Sequence, residues 1–183
     1  MTPLLRFENV ALRRGGRLLF EAMSIELRPG ERLQVTGPNG SGKSSLIRLA
    51  AGLLSADRGR VDRSPLALAD ESLALDRELP LGRALQFWNA SPERAMEALG
   101  LTHLGLVPVR LLSSGQLKRA SLARVAASSA RLWLLDEPLN ALDSDGAKKL
   151  GLLVERHLES GGAVLAASHQ QLGGDWPKLE LGS

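Results

Sequence analysis

The most specific chemical signal in the sequence is a short stretch that is rich in glycine and ends in lysine and serine. Residues 37–44 read GPNGSGKS and match the pattern G-x-x-x-x-G-K-S/T. Glycines allow the backbone to curl tightly and turn its N–H groups toward an anion, and the dipole of a following helix attracts the same anion. The residues predicted to surround the phosphates of a nucleotide are Gly37, Pro38, Asn39, Gly40, Ser41, Gly42, Lys43, Ser44 and Ser45.

Two side chains of this loop have individual predicted roles. Lys43 is expected to reach the β- and γ-phosphates, where the reaction takes place, and is therefore a catalytic candidate. The Ser44 hydroxyl is expected to coordinate Mg²⁺. The loop thus predicts a site for a nucleoside triphosphate and its metal, placed between a strand and a helix.

A pair of acids at the end of an apolar run is the second chemical signal. Residues 132–135 read LWLL, as expected of a strand that is buried on both faces, and Asp136 and Glu137 follow directly. Asp136 is placed to hold Mg²⁺ through a water molecule, and Glu137 is the candidate that orients or deprotonates the attacking water. The alternative is two unrelated surface carboxylates, which the presence of the phosphate loop disfavours.

The elements that must position these residues alternate between strand-like and helical patterns, which predicts an α/β fold. The first two strands are expected to form a hairpin around Gly15 and Gly16. Strands are predicted at residues 4–13, 18–27, 32–36, 60–63, 66–69, 132–135, 163–167 and 178–181. Helices are predicted at residues 43–51, 81–89, 92–99, 115–129 and 144–159.

Three further motifs follow the phosphate loop in order and reveal a resemblance. Residues 112–116, LSSGQ, resemble the signature motif of ABC ATPases, usually LSGGQ, with Ser114 in place of the first glycine. Residues 140–143, NALD, resemble the D-loop of that family, and His169 resembles its switch histidine. The resemblance to ABC ATPases therefore covers residues 37–169.

This resemblance implies a fold and a domain organisation. The expected fold is a P-loop NTPase of ABC type, α/β, in which a mixed sheet core carries an N-terminal antiparallel β portion and a small helical subdomain. The chain is expected to be a single ABC ATPase domain over residues 1–183, with the helical subdomain inserted at about residues 80–128.

The resemblance also implies an ATPase that uses ATP and Mg²⁺ and forms a head-to-tail homodimer when ATP binds. His169 would touch the γ-phosphate in its own subunit, which makes it a catalytic residue beside Lys43 and Glu137, and Asp143 would link the two sites. The residues expected to contact ATP held by the partner subunit are Ser113, Ser114, Gly115 and Gln116.

A narrower resemblance is carried by three segments around these motifs. Residues 107–116, VPVRLLSSGQ, then Lys118 and Arg119, then residues 168–172, SHQQL, resemble the ATP-binding subunits of the haem exporter in c-type cytochrome maturation. This implies integral membrane permease subunits as partners, and a peripheral position on the cytoplasmic face of the inner membrane. No residue suggests haem contact, so no direct haem ligation is expected.

Two further positions, besides Ser114, depart from the family pattern. ABC ATPases commonly stack adenine on an aromatic residue, but the chain has no tyrosine, and Arg14 is the candidate to stack on the base instead. The alternative is that Arg14 is an exposed turn residue. Where the family usually places a Mg²⁺-binding glutamine, this chain has Glu71, whose carboxylate suits Mg²⁺ but adds negative charge. Glu71→Gln is predicted to preserve hydrolysis and to change its Mg²⁺ dependence.

Phe87 and Trp88 have two interpretations. In transporters of this type a groove near these residues receives a helix of the membrane subunit, so they are candidates for that contact surface. The alternative is ordinary packing in the core. His103 and His157 lie outside any motif and are interpreted as surface residues.

Composition excludes several classes of function. The absence of cysteine rules out disulfides, zinc–thiolate sites, iron–sulfur clusters and haem attachment through cysteine in this chain. The first ten residues lack the pattern of a secretory signal, so export is not expected. The formal net charge is +3 and aromatic residues make up 3%, with scattered arginines, so direct nucleic-acid binding is not expected.

Four functional alternatives remain beside a haem exporter subunit. They are the ATPase of another ABC importer or exporter, a soluble ABC ATPase that acts on nucleic acid or the ribosome, a different P-loop enzyme such as a small-molecule kinase, and a catalytically silent ATP-binding partner. The sequence has one motif set and no sustained heptads, which disfavours the soluble ABC ATPase. The LSSGQ motif has no role in a kinase.

Overall fold

The computed structural model describes residues 2–89 and 91–182. Its strands are β1 Leu5–Arg14, β2 Arg17–Leu27, β3 Arg32–Thr36, β4 Arg58–Arg63, β5 Leu66–Ala69, β6 Leu132–Asp136, β7 Ala163–Ala167 and β8 Lys178–Glu180. Its α-helices are α1 Lys43–Ala51, α2 Leu81–Gln86, α3 Glu93–Ala98, α4 Ser114–Ala127 and α5 Ser144–Glu159. Short 3-10 turns at Thr102–Leu104 and Val109–Leu111 connect α3 to α4. No helix in these ranges has the length and apolar character that crossing a bilayer requires.

The strands form an antiparallel sheet and a parallel sheet, which confirms the predicted α/β fold. The antiparallel sheet has the order β2-β1-β4, and Arg14 pairs with Arg17 where the predicted hairpin turns. The parallel sheet has the order β5-β6-β7-β3-β8. Parallel strands place all their carboxyl ends at one edge, so the segments after β3, β5, β6 and β7 meet there.

Two apolar cores lie on the two faces of the parallel sheet, and β6 contributes to both. Leu132 and Leu134 belong to the core that α1 and the antiparallel sheet cover. Trp133 and Leu135 belong to the core that the helices α2 to α5 cover. The prediction that this strand is buried on both faces is confirmed, and it explains why the run before Asp136 has no polar position.

The helices between β5 and β6 are shorter than the sequence pattern predicts. Helix α2 stops at Gln86 instead of residue 89, because the N–H of Trp88 bonds to the carbonyl of Leu85 and tightens the last turn. Helix α3 covers residues 93–98 instead of 92–99, with Pro92 at its N-cap. Apolar spacing locates a helix, but local backbone bonds decide where it ends.

His157 is half-buried, so its interpretation as a surface residue is wrong. Its ring stacks on Trp133 with centroids 3.7 Å apart, and Nε2 lies 3.1 Å from the carbonyl oxygen of Arg131. Burial lowers the pKa of His157, although the backbone hydrogen bonds act in the opposite direction. The folded chain therefore favours the neutral ring.

His157 is expected to make the protein less stable as the pH falls. Because its pKa is lowered by folding, the unfolded chain binds the proton first, so stability is full above a pH of about 6.5 and decreases below it. We expect His157→Phe, which keeps an aromatic ring on Trp133, to flatten the decrease in Tm between about pH 7 and pH 5.5. Thermal melts across this range measure the effect. The control is His103→Gln at an exposed histidine, and equal decreases in all three proteins would contradict the assignment.

Candidate functional site

The glycine-rich loop connects β3 to α1 and has a conformation that its glycines make possible. Gly37 has φ 137°, in a region that side chains disfavour. A Cβ at Gly37 would also collide with the carbonyl oxygen of Leu181 and would approach the Ser41 hydroxyl within 2.9 Å. On the other side, Leu19 of β2 lies against the loop at Gly42. The loop is therefore held between the residue that follows β8 and the antiparallel sheet.

Lys43 begins α1 and points back into the loop. Its ammonium donates hydrogen bonds to the carbonyl oxygens of Gly37 at 2.8 Å and Pro38 at 3.0 Å, and only 7% of the residue is exposed. A buried ammonium needs such partners, because an unpaired charge away from water is costly. These bonds hold the cation in the concave side of the loop.

Ser44, at the start of α1, contacts Asp136 at the end of β6. The Ser44 hydroxyl donates to Oδ1 of Asp136 at 3.1 Å. Burial raises the pKa of the Asp136 carboxyl, and the bond from Ser44 opposes that rise. Both are hard oxygen donors of the kind that Mg²⁺ prefers, so the pair fits the predicted arrangement in which Ser44 binds the ion and Asp136 holds it through a water molecule.

The described residues do not form a complete metal cage by themselves. Among the described residues, no group of three or more histidine and acidic side chains is arranged to hold a metal. This agrees with the coordination habit of Mg²⁺, which typically takes one or two protein oxygens together with substrate phosphates and water. The donor set near the loop is therefore suited to a metal that arrives with a nucleotide.

Glu137 and His169 contact each other after β6 and β7. Nδ1 of His169 lies 2.8 Å from Oε2 of Glu137, and the His169 side chain is half exposed. Glu137 has φ 45°, which a non-glycine residue adopts at a cost of order 1 kcal/mol. Its N–H bonds to the carbonyl of Ala167 at 2.8 Å, which holds this conformation. The contact therefore links the Glu137 carboxylate, after β6, to His169 in the segment after β7.

A cavity of about 440 Å³ opens beside Ser44, Asp136 and Glu137. The segment after β5 supplies Glu71 to its wall, so the structure places that predicted metal residue with the other site residues. Lys118, which carries part of the family resemblance but has no predicted role in the site, lies in the same wall. A signal was available, because Ser114, Leu117, Lys118 and Ser121 all line the cavity and have the spacing of one helix face.

The signature residues form the start of α4. Ser113 is the N-cap and makes a capping box: its hydroxyl accepts from the Gln116 N–H at 3.3 Å, and Gln116 Oε1 accepts from the Ser113 N–H at 2.8 Å. Gly115 follows Ser114 in the first turn, and a Cβ on it would lie 2.9 Å from the carbonyl oxygen of Ala141. The signature segment therefore packs closely on the segment after Glu137.

Asp143 has a structural role that the sequence analysis did not anticipate. It is the N-cap of α5, and its Oδ1 accepts from the N–H of Gly146 at 2.7 Å. A role in linking two subunits stays a prediction. Arg14 lies exposed at the end of β1 and is not in the wall of the cavity beside Glu137.

Phe87 and Trp88 differ from each other in exposure. Phe87 is 84% exposed, so the alternative of core packing is wrong for this residue. Trp88 is 39% exposed, and its ring lies over the guanidinium of Arg124 at 4.8 Å. Arg124 is buried and donates to the carbonyl oxygen of Leu68 in β5. The pair of aromatic residues thus forms an apolar surface above the strand that leads to Glu71.

Comparisons with known proteins agree in their description of this chain. The sequence profile described as ABC transporter matches residues 20–140. The Cytochrome c biogenesis ATP-binding export protein CcmA of Sphingopyxis alaskensis is 51% identical over 177 residues, which cover 92% of this chain and 91% of that protein. The protein of the same name from Novosphingobium aromaticivorans is 53% identical over 167 residues, which cover 90% of this chain and 87% of that protein. A solved ATP-binding subunit of an ABC transporter superposes with a TM-score of 0.81 at 21% identity, over 91% of this chain and 79% of that one.

Proposed function

Because this chain belongs to the ABC transporter ATP-binding family, we propose that it is the ATP-hydrolysing subunit of a haem exporter that acts in cytochrome c biogenesis. The observation that carries the export assignment is the high identity to proteins of that name over nearly the whole length of both chains. The geometry of the site supports the assignment as an ATPase, because the phosphate loop, the candidate metal-binding oxygens and the candidate general base lie together at one edge of the parallel sheet.

The phosphate loop would bind the nucleotide through its backbone and Lys43. The backbone N–H groups of residues 37–45, apart from Pro38, which has none, would surround the phosphates, and Lys43 would exchange its two carbonyl partners for phosphate oxygens. Ser44 and Asp136 would hold Mg²⁺, with Glu71 near enough in the cavity wall to contribute. A bound Mg²⁺ supplies positive charge against the phosphates.

Hydrolysis would depend on Glu137 and His169. Glu137 is the group placed to accept a proton from the attacking water, because its carboxylate reaches the cavity beside Asp136. His169 orients that carboxylate through the 2.8 Å contact at Nδ1 and would use its remaining ring nitrogen to touch the γ-phosphate. This arrangement makes His169 sensitive to whether the γ-phosphate is present.

A second copy of the chain would complete the site. Helix α4 has 14 residues, and the N-terminus of such a helix attracts phosphate. Ser113, Ser114, Gly115 and Gln116 would approach the γ-phosphate that the partner subunit holds. The close packing of Gly115 on Ala141 ties this surface to the Asp143 segment that would join the two sites.

The partners would be integral membrane subunits that carry the path for export, with this chain on the cytoplasmic face of the inner membrane. The exposed ring of Phe87, beside Trp88, is the surface on which such a subunit would dock. Specificity for haem would then belong to the membrane subunits, which would carry the path for export.

Co-purification from membranes with an affinity-tagged chain tests this function. Cytochrome-maturation membrane subunits are expected among the partners, and Phe87→Ser is expected to reduce their recovery. Leu106→Ser is the matched control, because Leu106 is 91% exposed in the same helical part of the chain. Recovery of another permease would contradict the haem assignment and leave the transporter assignment in place. Recovery only with ribosomes or nucleic acid would contradict the transporter assignment itself.

Arg14 is proposed to stack on the adenine ring. Arg14→Ala is expected to weaken ATP binding by roughly fivefold, about 1 kcal/mol, because one cation–π contact is lost. Isothermal titration with ATP measures the change. The control is Arg17→Ala, its opposite neighbour in the hairpin register. An equal loss in both variants would indicate general attraction of the phosphates, and no loss in Arg14→Ala would remove the stacking assignment.

A further inference from the structure

The cavity beside Glu137 has an excess of negative charge in its wall. The ionisable side chains that line it are Asp70, Glu71, Asp136, Glu137, Arg77 and Lys118. Four carboxylates and two cations give this group a formal charge of −2. Carboxylates that share a partly enclosed space repel one another unless cations lie among them, so each cation in the wall affects how strongly the site attracts a metal.

Lys118 points toward these carboxylates instead of into solvent. It lies on α4 four residues after Ser114, and both residues line the cavity. Its ammonium donates to the carbonyl oxygen of Asp136 at 3.3 Å, and its side chain is half-buried. A lysine on a helix surface normally extends its charge into water, so this inward direction places the cation at the end of β6.

We propose that Lys118 is a positioning residue of the ATPase site, which offsets the negative charge of Glu71 and thereby sets the Mg²⁺ concentration that nucleotide binding requires. The inference rests on the proposed function. Its physical reason is that Glu71 adds a carboxylate to a wall that already holds Asp136 and Glu137, and Lys118 adds a cation to the same wall. The two residues therefore act on Mg²⁺ in opposite directions.

Removing the charge of Lys118 and removing the charge of Glu71 should have opposite effects on the Mg²⁺ requirement, and these effects should cancel in the double variant. Lys118→Gln changes the formal charge of the wall from −2 to −3, Glu71→Gln changes it to −1, and the double variant returns it to −2. A more negative wall attracts a divalent cation more strongly. Lys118→Gln should therefore lower the Mg²⁺ requirement, Glu71→Gln should raise it, and the double variant should resemble the parent chain.

The experiment measures ADP affinity by isothermal titration over a series of Mg²⁺ concentrations with the full chain. We expect the Mg²⁺ concentration at half-maximal ADP binding to fall about three- to tenfold in Lys118→Gln and to rise by a similar factor in Glu71→Gln. The double variant is expected within about twofold of the parent. Lys118→Arg, which keeps the charge, should leave the midpoint in place.

The controls separate charge in the cavity from net charge and from folding. Lys178→Gln removes a cation from an exposed position on β8 and should leave the midpoint unchanged. Thermal melts check that each variant is folded, and Lys118→Met, which retains the aliphatic stem, is the second charge-removing variant. An unchanged midpoint in the folded charge-removing variants, or a double variant whose midpoint departs from the parent as far as that of either single variant, would overturn the proposal. Absence of ADP binding to the parent chain at any Mg²⁺ concentration would instead contradict the proposed function.

Discussion

Glu137→Gln is expected to abolish ATP hydrolysis while nucleotide binding is retained. The amide has the size of the carboxylate but cannot accept a proton from water, and general-base catalysis contributes about 10²- to 10⁴-fold. The glutamine side chain retains an oxygen that can contact Nδ1 of His169, so the contact between the segments after β6 and β7 is kept. Phosphate release by the complex with its membrane subunits measures the rate, and titration with ATP measures binding.

Glu71→Gln provides the matched control for this variant. It makes the same chemical change in the same cavity, but Glu71 lies after β5 and is not the proposed base. We expect this variant to retain hydrolysis at a saturating Mg²⁺ concentration. A Glu137→Gln variant that keeps more than about a tenth of the parent rate would show that another group accepts the proton. Equal losses in the two variants would indicate a general effect of charge in the cavity.

Lys43→Ala is expected to remove most of the affinity for ATP. Lys43 is almost fully buried and its ammonium is held by two carbonyl oxygens of the loop, so the substitution removes both a cation for the phosphates and the support of the loop itself. Hydrogen bonds that involve a charged group contribute about 1.5–3 kcal/mol, which corresponds to roughly a 10- to 100-fold loss of affinity. Equilibrium binding of ATP with Mg²⁺ measures this loss.

The control for Lys43→Ala is Lys178→Ala, which also removes one lysine but from an exposed edge strand. It should bind ATP with the affinity of the parent chain. Thermal melts distinguish a local loss of phosphate binding from unfolding, since the variant leaves loop carbonyls without their donor. Unchanged affinity in a folded Lys43→Ala variant would contradict the assignment of residues 37–45 as the phosphate site.

The sequence predicted which strands precede the candidate site residues better than it predicted the local structure around those residues. The phosphate loop, Glu71, the acid pair and His169 each follow a predicted strand, and those strands are β3, β5, β6 and β7 as the structure has them. Helix ends were less accurate, because α2 ends through the bond from the Trp88 N–H to the Leu85 carbonyl, which apolar spacing does not encode. His157 was misjudged for a similar reason, since its partner Trp133 lies on another element.

By itself, the sequence determined the fold class and singled out the residues that are predicted to act on phosphate. The glycines, Lys43 and Ser44 must be adjacent in the chain because one turn of backbone surrounds the anion, and a continuous loop is visible in one dimension. Asp136 and Glu137 are likewise recognisable because a strand that is buried on both faces has a continuous apolar sequence.

Only the tertiary structure decided which side chains from different strands meet. The 3.1 Å bond between Ser44 and Asp136 connects the start of α1, which follows β3, to the end of β6, and β7 lies between β3 and β6 in the sheet. The inward direction of Lys118 likewise depends on how α4 packs beside β6. Neither fact follows from spacing, because the sheet order and the rotation of a helix on it are set by the packing of both apolar cores.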